Sequence, residues 1–200
     1  MADTIFMIHG MWNGPSCWSN YRNIFESKGY RCITATLPYH DMDPKEHPDP
    51  RLGTTSLLDY AEALQQEICQ LDVKPILMGQ TFNEAVYSML HLLPENEQRE
   101  AYGKFVYESG RAAFEIGYWP FDSKGASKVD ESKITCPVLV VAGTQDRITP
   151  ASVVRQVARK CKDVSTYKEF KNHAHWVLAE PGWEEVAEYV GVWIKSLGAE

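Results

Sequence analysis

The sequence lacks the features of membrane-spanning and exported chains. No apolar stretch approaches the roughly 18 residues that a membrane-spanning helix requires. The first residues show no basic segment followed by an apolar core, so a signal peptide is not indicated. We therefore expect neither a membrane span nor export.

Positive charge is scarce. The 20 lysines and arginines are outnumbered by 27 aspartates and glutamates, which gives a net charge of −7 and a pI near 5.4. Phosphate groups repel such a surface, so nucleic acids and anionic membranes are not expected as partners. The acids are scattered along the chain, which is typical of a solvated exterior.

Cysteine pairs and ligand motifs are also missing. The five cysteines are odd in number and show no Cys-x-x-Cys spacing. Cys32 and Cys136 border apolar runs, where a thiol usually behaves as a small buried hydrophobe. We expect a reduced, cytoplasmic protein. The chain has no metal-ligand spacing, phosphate loop or dinucleotide fingerprint, so we expect neither a metal nor a cofactor.

What is present indicates one α/β domain over residues 1–200. Short apolar runs alternate with segments of helical period, the pattern of parallel strands joined by crossover helices. The strands lack polar alternation, which predicts a mostly parallel sheet of about five strands with helices on both faces. The predicted strands are 4–9, 30–36, 74–79, 137–143 and 165–170. The predicted helices are 16–28, 54–70, 82–93, 95–117, 150–160 and 181–197.

Two candidate catalytic residues follow the last two predicted strands. Asp146 in GTQDRITP and His175 in KNHAHW both come where open α/β sheets bind ligands. A carboxylate there can fix the tautomer of a histidine and stabilise its imidazolium. Asp146 suits the capping of the turn at Thr149-Pro150 equally well. His173 competes with His175, but the adjacent Trp176 favours His175.

A turn of small residues follows the first predicted strand. In His9-Gly10-Met11-Trp12, a backbone N–H, that of Met11, is suited to point at a developing oxyanion. A tight turn with a structural histidine is the alternative. Trp12 and Trp176 flank the two candidate loops, where aromatic side chains can line an apolar pocket.

Taken together, FMIHGMWNGPSCW, GTQDRITP and HAHWVLAEPGW resemble the α/β-hydrolase superfamily, and especially its bacterial esterase-like members. The similarity covers nearly the whole chain. It implies an ester-type hydrolase with a serine nucleophile, Asp146 as acid, His175 as base and no cofactor. It also implies the strand order 2-1-3-4-5. The implied oxyanion donors are Met11 and Phe82, and the implied pocket residues are His9, Gly10, Trp12 and Trp176.

The nucleophile turn departs from that family. Where the family has His-Ser-x-Gly-Gly, this chain has Gln80 and then Thr81 at the nucleophile position, with Asn83 and Glu84 replacing the glycines. The segment 81–120 resembles the lid of the family. We infer an internal deletion with its junction near Gln80 and Thr81.

Threonine is a poor replacement for the serine. The turn that carries the nucleophile is strained, and a β-branched residue tolerates that strain badly. Thr81 better suits the N-cap of the predicted helix 82–93, with Glu84 completing a capping box. Ser16 and Ser109 do not follow strands, and Cys17 would need a nearby base to become a nucleophile.

These patterns favour an α/β-hydrolase-fold protein of carboxylic-ester hydrolase type whose nucleophile is lost and whose activity is impaired or absent. One alternative is a non-catalytic small-molecule binding or interaction module on the same fold. Another is an active hydrolase that uses Thr81 or a water activated by His175. The expected partner is a small-molecule ester or related carbonyl compound, and a homodimer through helices 82–117 is also expected.

Overall fold

The computed structural model describes residues 4–43, 45–79, 90–161 and 164–198. All five predicted strands are present, as β1 (Thr4–Ile8), β2 (Arg31–Ala35), β3 (Ile76–Gly79), β4 (Val138–Gly143) and β5 (Ser165–Phe170). The α-helices of the described residues are α1 (Ser19–Ser27), α2 (Leu57–Cys69), α3 (Glu95–Tyr102), α4 (Gly110–Gly117), α5 (Ala151–Lys160) and α6 (Trp183–Ser196).

The strands form two parallel sheets rather than one. Strands β2, β1 and β3 pair in that order, and β4 pairs with β5. The predicted neighbours are right within each sheet, but the ladder expected between β3 and β4 is absent from the described residues. β3 has only four residues, and Leu77 on it is 57% exposed. Burial on both faces was therefore the wrong expectation for this strand.

The chain divides into two compact units. Unit 1 comprises Met1–Phe82 with Gly103–Val129, and unit 2 comprises Asn83–Tyr102 with Asp130–Glu200. Unit 1 contains the three-stranded sheet with α1, α2 and α4. Unit 2 contains the two-stranded sheet with α3, α5 and α6.

In unit 1, β1 is the central strand and its side chains form the core. Ile5, Phe6 and Met7 are at most 1% exposed, as expected for a parallel strand covered on both faces. The helix α2 begins with a capping box. The Ser56 hydroxyl accepts the N–H of Leu58, and the Ser56 N–H donates to the Asp59 carboxylate at 2.7 Å.

In unit 2, α6 packs on the sheet through Tyr189, whose ring meets Phe170 edge-on at 5.6 Å. Two predicted helix starts are displaced, by one residue for α5 and by two residues for α6. Pro150 is the N-cap of α5 rather than its first residue, because the Thr149 hydroxyl already binds the Asp146 carboxylate. Gly182 is the N-cap of α6 in place of a residue before Pro181.

The predicted helix 95–117 is two helices, α3 and α4, separated by residues 103–109. The break follows from Ser109, whose hydroxyl accepts the N–H of Ala112 and starts a new helix. Residues 82–89 of the predicted helix 82–93 lie outside the described residues, and Leu93 closes a turn on Leu90 at 2.9 Å. The structure therefore describes only part of the segment 81–120, for which a lid origin is predicted.

None of the helices in the described ranges has the length and apolar character needed to cross a membrane. All five cysteines are free thiols. Cys32 is half-buried, but Cys136 is exposed, so burial was the wrong expectation for Cys136.

Candidate active site

The loops after β4 and β5 are held together by their main chains. The N–H of Thr144 donates to Phe170 O at 2.9 Å, and the N–H of Gln145 donates to His173 O at 2.8 Å. A Cβ added to Gly143 would lie 2.4 Å from the carbonyl oxygens of both His173 and Ala174. The close approach therefore requires glycine, and it brings the two loops side by side.

Asp146 and His175, predicted from these two loops, are in contact. Nδ1 of His175 lies 2.9 Å from Oδ2 of Asp146, and the two side chains are 4% and 6% exposed respectively. Because an ionised carboxylate only accepts, Nδ1 carries the proton of this hydrogen bond. The basic lone pair of the neutral ring then belongs to Nε2.

Asp146 also caps the turn that follows β4. Its Oδ1 accepts the N–H groups of Ile148 and Thr149 at 2.8 and 2.9 Å, and its Oδ2 accepts the Thr149 hydroxyl at 2.8 Å. Burial alone would raise the pKa of this carboxyl, but the hydrogen bond and charge of His175 and the backbone donors hold it below its usual value. Asp146 therefore caps this turn and hydrogen-bonds His175 at the same time.

His173 has a different partner. Its Nδ1 lies 2.9 Å from Oε1 of Glu180, which also accepts the N–H of Ala174 at 2.8 Å. Glu180 is fully buried, burial raises the pKa of its carboxyl, and its Oε2 has no partner among the described residues. Sequence reasoning missed Glu180, because EPGW signalled only a helix start.

The turn after β1 contains a neutral, buried histidine. The N–H of Leu37 donates to Nε2 of His9 at 3.2 Å, so Nδ1 carries the proton and donates to Gly10 O at 2.9 Å. Burial lowers the pKa of His9 to about 4. His9 thus fixes the turn through these two hydrogen bonds.

Met11, the predicted oxyanion donor, is buried in this turn. Its carbonyl accepts the side-chain amide of Asn13 at 3.2 Å, while its N–H has no acceptor among the described residues. Trp12 follows with φ of +57°, a left-handed conformation that is uncommon for an aromatic residue. Gly10 is buried, Trp12 is half-buried, and Trp176 in unit 2 is 6% exposed.

The remaining candidates differ in how far the structure describes them. Thr81 and Phe82, with the neighbouring Gln80, Asn83 and Glu84, lie outside the described residues. Ser109 is fully buried, and its hydroxyl donates to Thr55 O.

Cys17 is poorly suited to act as a nucleophile. Burial raises the pKa of the Cys17 thiol to about 12, which disfavours the thiolate needed for nucleophilic attack. Within the described ranges, no three His, Cys, Asp or Glu residues are grouped so that they could hold a metal ion.

Comparison with known proteins identifies the fold. No protein-family model and no curated protein matches the chain. A monoacylglycerol lipase from Paleococcus ferrophilus matches with 18% identity and a TM-score of 0.74, covering 96% of this chain and 94% of the lipase. A methylesterase from Arabidopsis matches with 10% identity and a TM-score of 0.71, covering 96% and 98% of the two chains. A pyrethroid hydrolase from Sphingobium faniae matches with 14% identity and a TM-score of 0.66 over 100% of both chains. The chain therefore has the fold of the α/β-hydrolases.

Proposed function

We propose that the chain is an α/β-hydrolase of carboxylic-ester hydrolase type that retains its acid and base but lacks the serine nucleophile. The observation that carries the proposal is the buried contact between His175 Nδ1 and Asp146 Oδ2 at 2.9 Å. Asp146 is itself held by three further donors, so the ring of His175 has a fixed partner. The resemblance to a lipase, a methylesterase and a pyrethroid hydrolase supports esters as the substrate class.

The proposed chemistry is acyl transfer. In this class an attacking hydroxyl adds to the ester carbonyl while the histidine removes its proton at Nε2, and the same proton then passes to the leaving alcohol. Asp146 stabilises the imidazolium formed between these two steps. The N–H groups of Met11 and Phe82 are the proposed donors to the oxyanion. His9, Gly10, Trp12 and Trp176 are the proposed surroundings of the substrate.

The attacking hydroxyl is what the chain lacks. We propose that an internal deletion near Gln80 and Thr81 removed the nucleophile turn and left the lid-derived segment 81–120 in its place. Thr81 is β-branched and is followed by Asn83 where the family has glycine, so it is poorly suited to the strained turn. The expected result is binding of a small ester or carbonyl compound with negligible turnover.

Labelling by a fluorophosphonate probe and hydrolysis of p-nitrophenyl acetate test this proposal. We expect the wild-type chain to remain unlabelled and to hydrolyse the ester no faster than Thr81→Ala does. Stoichiometric labelling that disappears in Thr81→Ala would instead establish an active hydrolase that uses Thr81. A rate that survives in Thr81→Ala but is lost in His175→Ala would indicate water activated by His175. Any rate that survives in the Asp146→Ala/His175→Ala double variant arises elsewhere.

A second candidate is a small-molecule binding module on the same fold. It is favoured by the combination of an intact buried Asp146–His175 pair with a threonine in place of the serine. A thermal-shift screen with esters, lactones and aromatic acids tests it, because a ligand at 100 times its Kd stabilises the folded state by about 2.7 kcal/mol. If none of these compounds raises Tm, this candidate is refuted.

We also propose a cytoplasmic location. Its support is that all five cysteines are free thiols, which suits a reducing compartment. The native source can be fractionated to test this location. Detection of the chain in the membrane or exported fraction would contradict it.

A further inference from the structure

One buried carboxylate in unit 1 collects four hydrogen-bond donors. Oε1 of Glu108 accepts the Tyr60 hydroxyl and the N–H of Ser109, each at 2.6 Å. Oε2 accepts Nε2 of His40 at 3.2 Å and the N–H of Trp12 at 3.3 Å. The Glu108 side chain is 1% exposed. It therefore joins the turns after β1 and β2 to α2 and to the start of α4.

Both ring nitrogens of His40 face oxygen atoms in this cluster. Nδ1 lies 3.1 Å from Pro38 O, and Nε2 lies 3.2 Å from Oε2 of Glu108. Burial alone would raise the pKa of Glu108, but the hydrogen bonds from His40 and Tyr60 outweigh burial and hold that pKa below its usual value. The neighbouring ring of His9, 5.3 Å away, is neutral.

The cluster holds the strained residue Trp12 through its main chain. Trp12 donates its N–H to Glu108 Oε2, and its carbonyl accepts the N–H of Val106 at 2.9 Å. Both backbone groups of Trp12 are thus bound by the short stretch 106–108. This stretch reaches the turn because residues 103–109 are not helical, in contrast to the helix predicted there from the sequence. A left-handed aromatic residue persists only where its surroundings enforce that conformation.

We propose that Glu108, hydrogen-bonded to His40, is a positioning residue that fixes the turn at Met11 and Trp12. Fixing the N–H of Trp12 orients the peptide that follows Met11 and so restricts the backbone of Met11 itself. The consequence for catalysis rests on the proposed function, in which the N–H of Met11 is the oxyanion donor. Glu108 then sets the direction of that N–H. Glu108 acts through the turn and does not itself touch the reacting atoms.

The helix that follows Glu108, α4, offers a matched control. Glu115 on α4 is also buried, at 3% exposure, and accepts the Ser56 hydroxyl at 2.8 Å and the N–H of Leu57 at 2.9 Å. It pairs with Arg111 at 3.0 Å. None of its hydrogen bonds within the described residues reaches the turn of Met11 and Trp12. Glu115→Gln therefore neutralises a comparable buried carboxylate without affecting the contacts of that turn.

The test compares the backbone amide resonances of Met11 and Trp12 in the wild type, Glu108→Gln and Glu115→Gln. Glutamine replaces one carboxylate oxygen by an NH₂ group, which cannot accept from the donors that face it. We expect the Trp12 amide proton to move upfield in Glu108→Gln, together with a shift of Met11, and neither to move in Glu115→Gln. Unmoved resonances in Glu108→Gln would overturn the proposal. Equal movement in both variants would also overturn it, because the effect would then be general loosening.

A second variant covers the case in which Glu108→Gln does not fold. His40→Gln removes the imidazole but keeps the carboxylate beside Trp12, and we expect it to shift the same two resonances by a smaller amount. If His40→Gln leaves both resonances where they are in the wild type, the pairing with His40 has no positioning effect and the proposal fails.

Titration with benzoate separates this proposal from the proposed function. If Met11 donates to a bound carboxylate, benzoate shifts the Met11 amide in the wild type and in Glu115→Gln but not in Glu108→Gln. A wild-type chain in which benzoate shifts neither amide would count against the proposed site. The comparison of the unliganded variants would still decide the role of Glu108.

Discussion

At the residue scale, Asp146 is both part of the turn and the partner of the histidine. Each of its oxygens accepts hydrogen bonds, two at Oδ1 from the main chain and two at Oδ2 from Thr149 and His175. A buried carboxylate with this many donors stabilises the folded state only while it is ionised. Its protonation should therefore be measurable as a change in stability.

We expect Asp146→Asn to change how stability depends on pH. The folded pKa of Asp146 lies below the ordinary value of about 3.9, so its contribution is present at neutral pH and is lost as pH falls from about 4 through the folded value. Urea unfolding should give a free energy about 1–3 kcal/mol below that of the wild type at pH 7. This difference should narrow by pH 3.

Asp43→Asn is the control for this substitution. Asp43 accepts the N–H of Lys45 in an exposed turn, so the change should stay within about 0.5 kcal/mol at either pH. A difference between the wild type and Asp146→Asn that is the same at pH 3 and pH 7 would contradict the assigned role of the carboxylate.

Gly143→Ala should separate the loops that carry Asp146 and His175. The new Cβ would lie 2.4 Å from two carbonyl oxygens, and backbone atoms yield less easily than side chains. We expect a loss of about 1–3 kcal/mol in the free energy of unfolding, measured as a lower Tm. Gly117→Ala is the control, because its Cβ would meet none of the described atoms within 4 Å. Equal Tm values for the two variants would refute this account.

At the scale of elements, the strands could be predicted and their assembly could not. Apolar runs such as VLVV before Asp146 predict strands, and all five strands occur where the sequence places them, although VLVV itself is only half-buried. The ladder partners of a strand depend on residues distant in the chain, which a local pattern does not encode. The short β3 with its exposed Leu77 shows why one continuous sheet was the wrong expectation.

The same distinction applies to the candidate site. The contact between Asp146 and His175 could be predicted because each residue follows its own strand, where the fold collects functional groups. Glu108 is not predictable, because its partners His40 and Trp12 lie 68 and 96 residues away in the sequence. Together with the Ser109 cap, the hydrogen bonds of Glu108 to those partners oppose the helix expected over 95–117, since tertiary hydrogen bonds outweigh local helix propensity.

Ser109→Ala tests the break between α3 and α4. The substitution removes the cap that accepts the N–H of Ala112 and leaves Thr55 O without its donor in a buried position. We expect the free energy of unfolding to fall by about 1–2 kcal/mol. The exposed Ser132→Ala should change it by less than about 0.5 kcal/mol. If denaturant titrations give the same midpoint for both variants, Ser109 is not the residue that fixes α4.

At the scale of the whole molecule, the net charge and the exposed aromatic residues bear on association. The charge of −7 disfavours binding to nucleic acid. The rings of Phe114 and Tyr118 stack at 5.4 Å, yet the two residues are 47% and 59% exposed. Exposed apolar groups of this kind favour association between protein chains.

We predict a homodimer through residues 82–117, and Phe114→Glu should convert it to a monomer. A carboxylate in an apolar interface is desolvated without a partner, which opposes association. Light scattering at micromolar concentration measures the mass of each species. Phe121 lies outside the predicted interface and is 78% exposed. The control substitution Phe121→Glu should therefore leave the dimer intact. A wild-type chain with the mass of a monomer would contradict the prediction.

The embedding of Asp146 has an evolutionary consequence. A negative charge that accepts hydrogen bonds from two main-chain N–H groups, one hydroxyl and one imidazole gives that imidazole a part in stabilising the fold, whether or not any ester is cleaved. Selection against misfolding would then preserve His175 in a lineage that had already abandoned catalysis. The presence of an acid–base couple that also stabilises the fold is therefore poor proof of turnover.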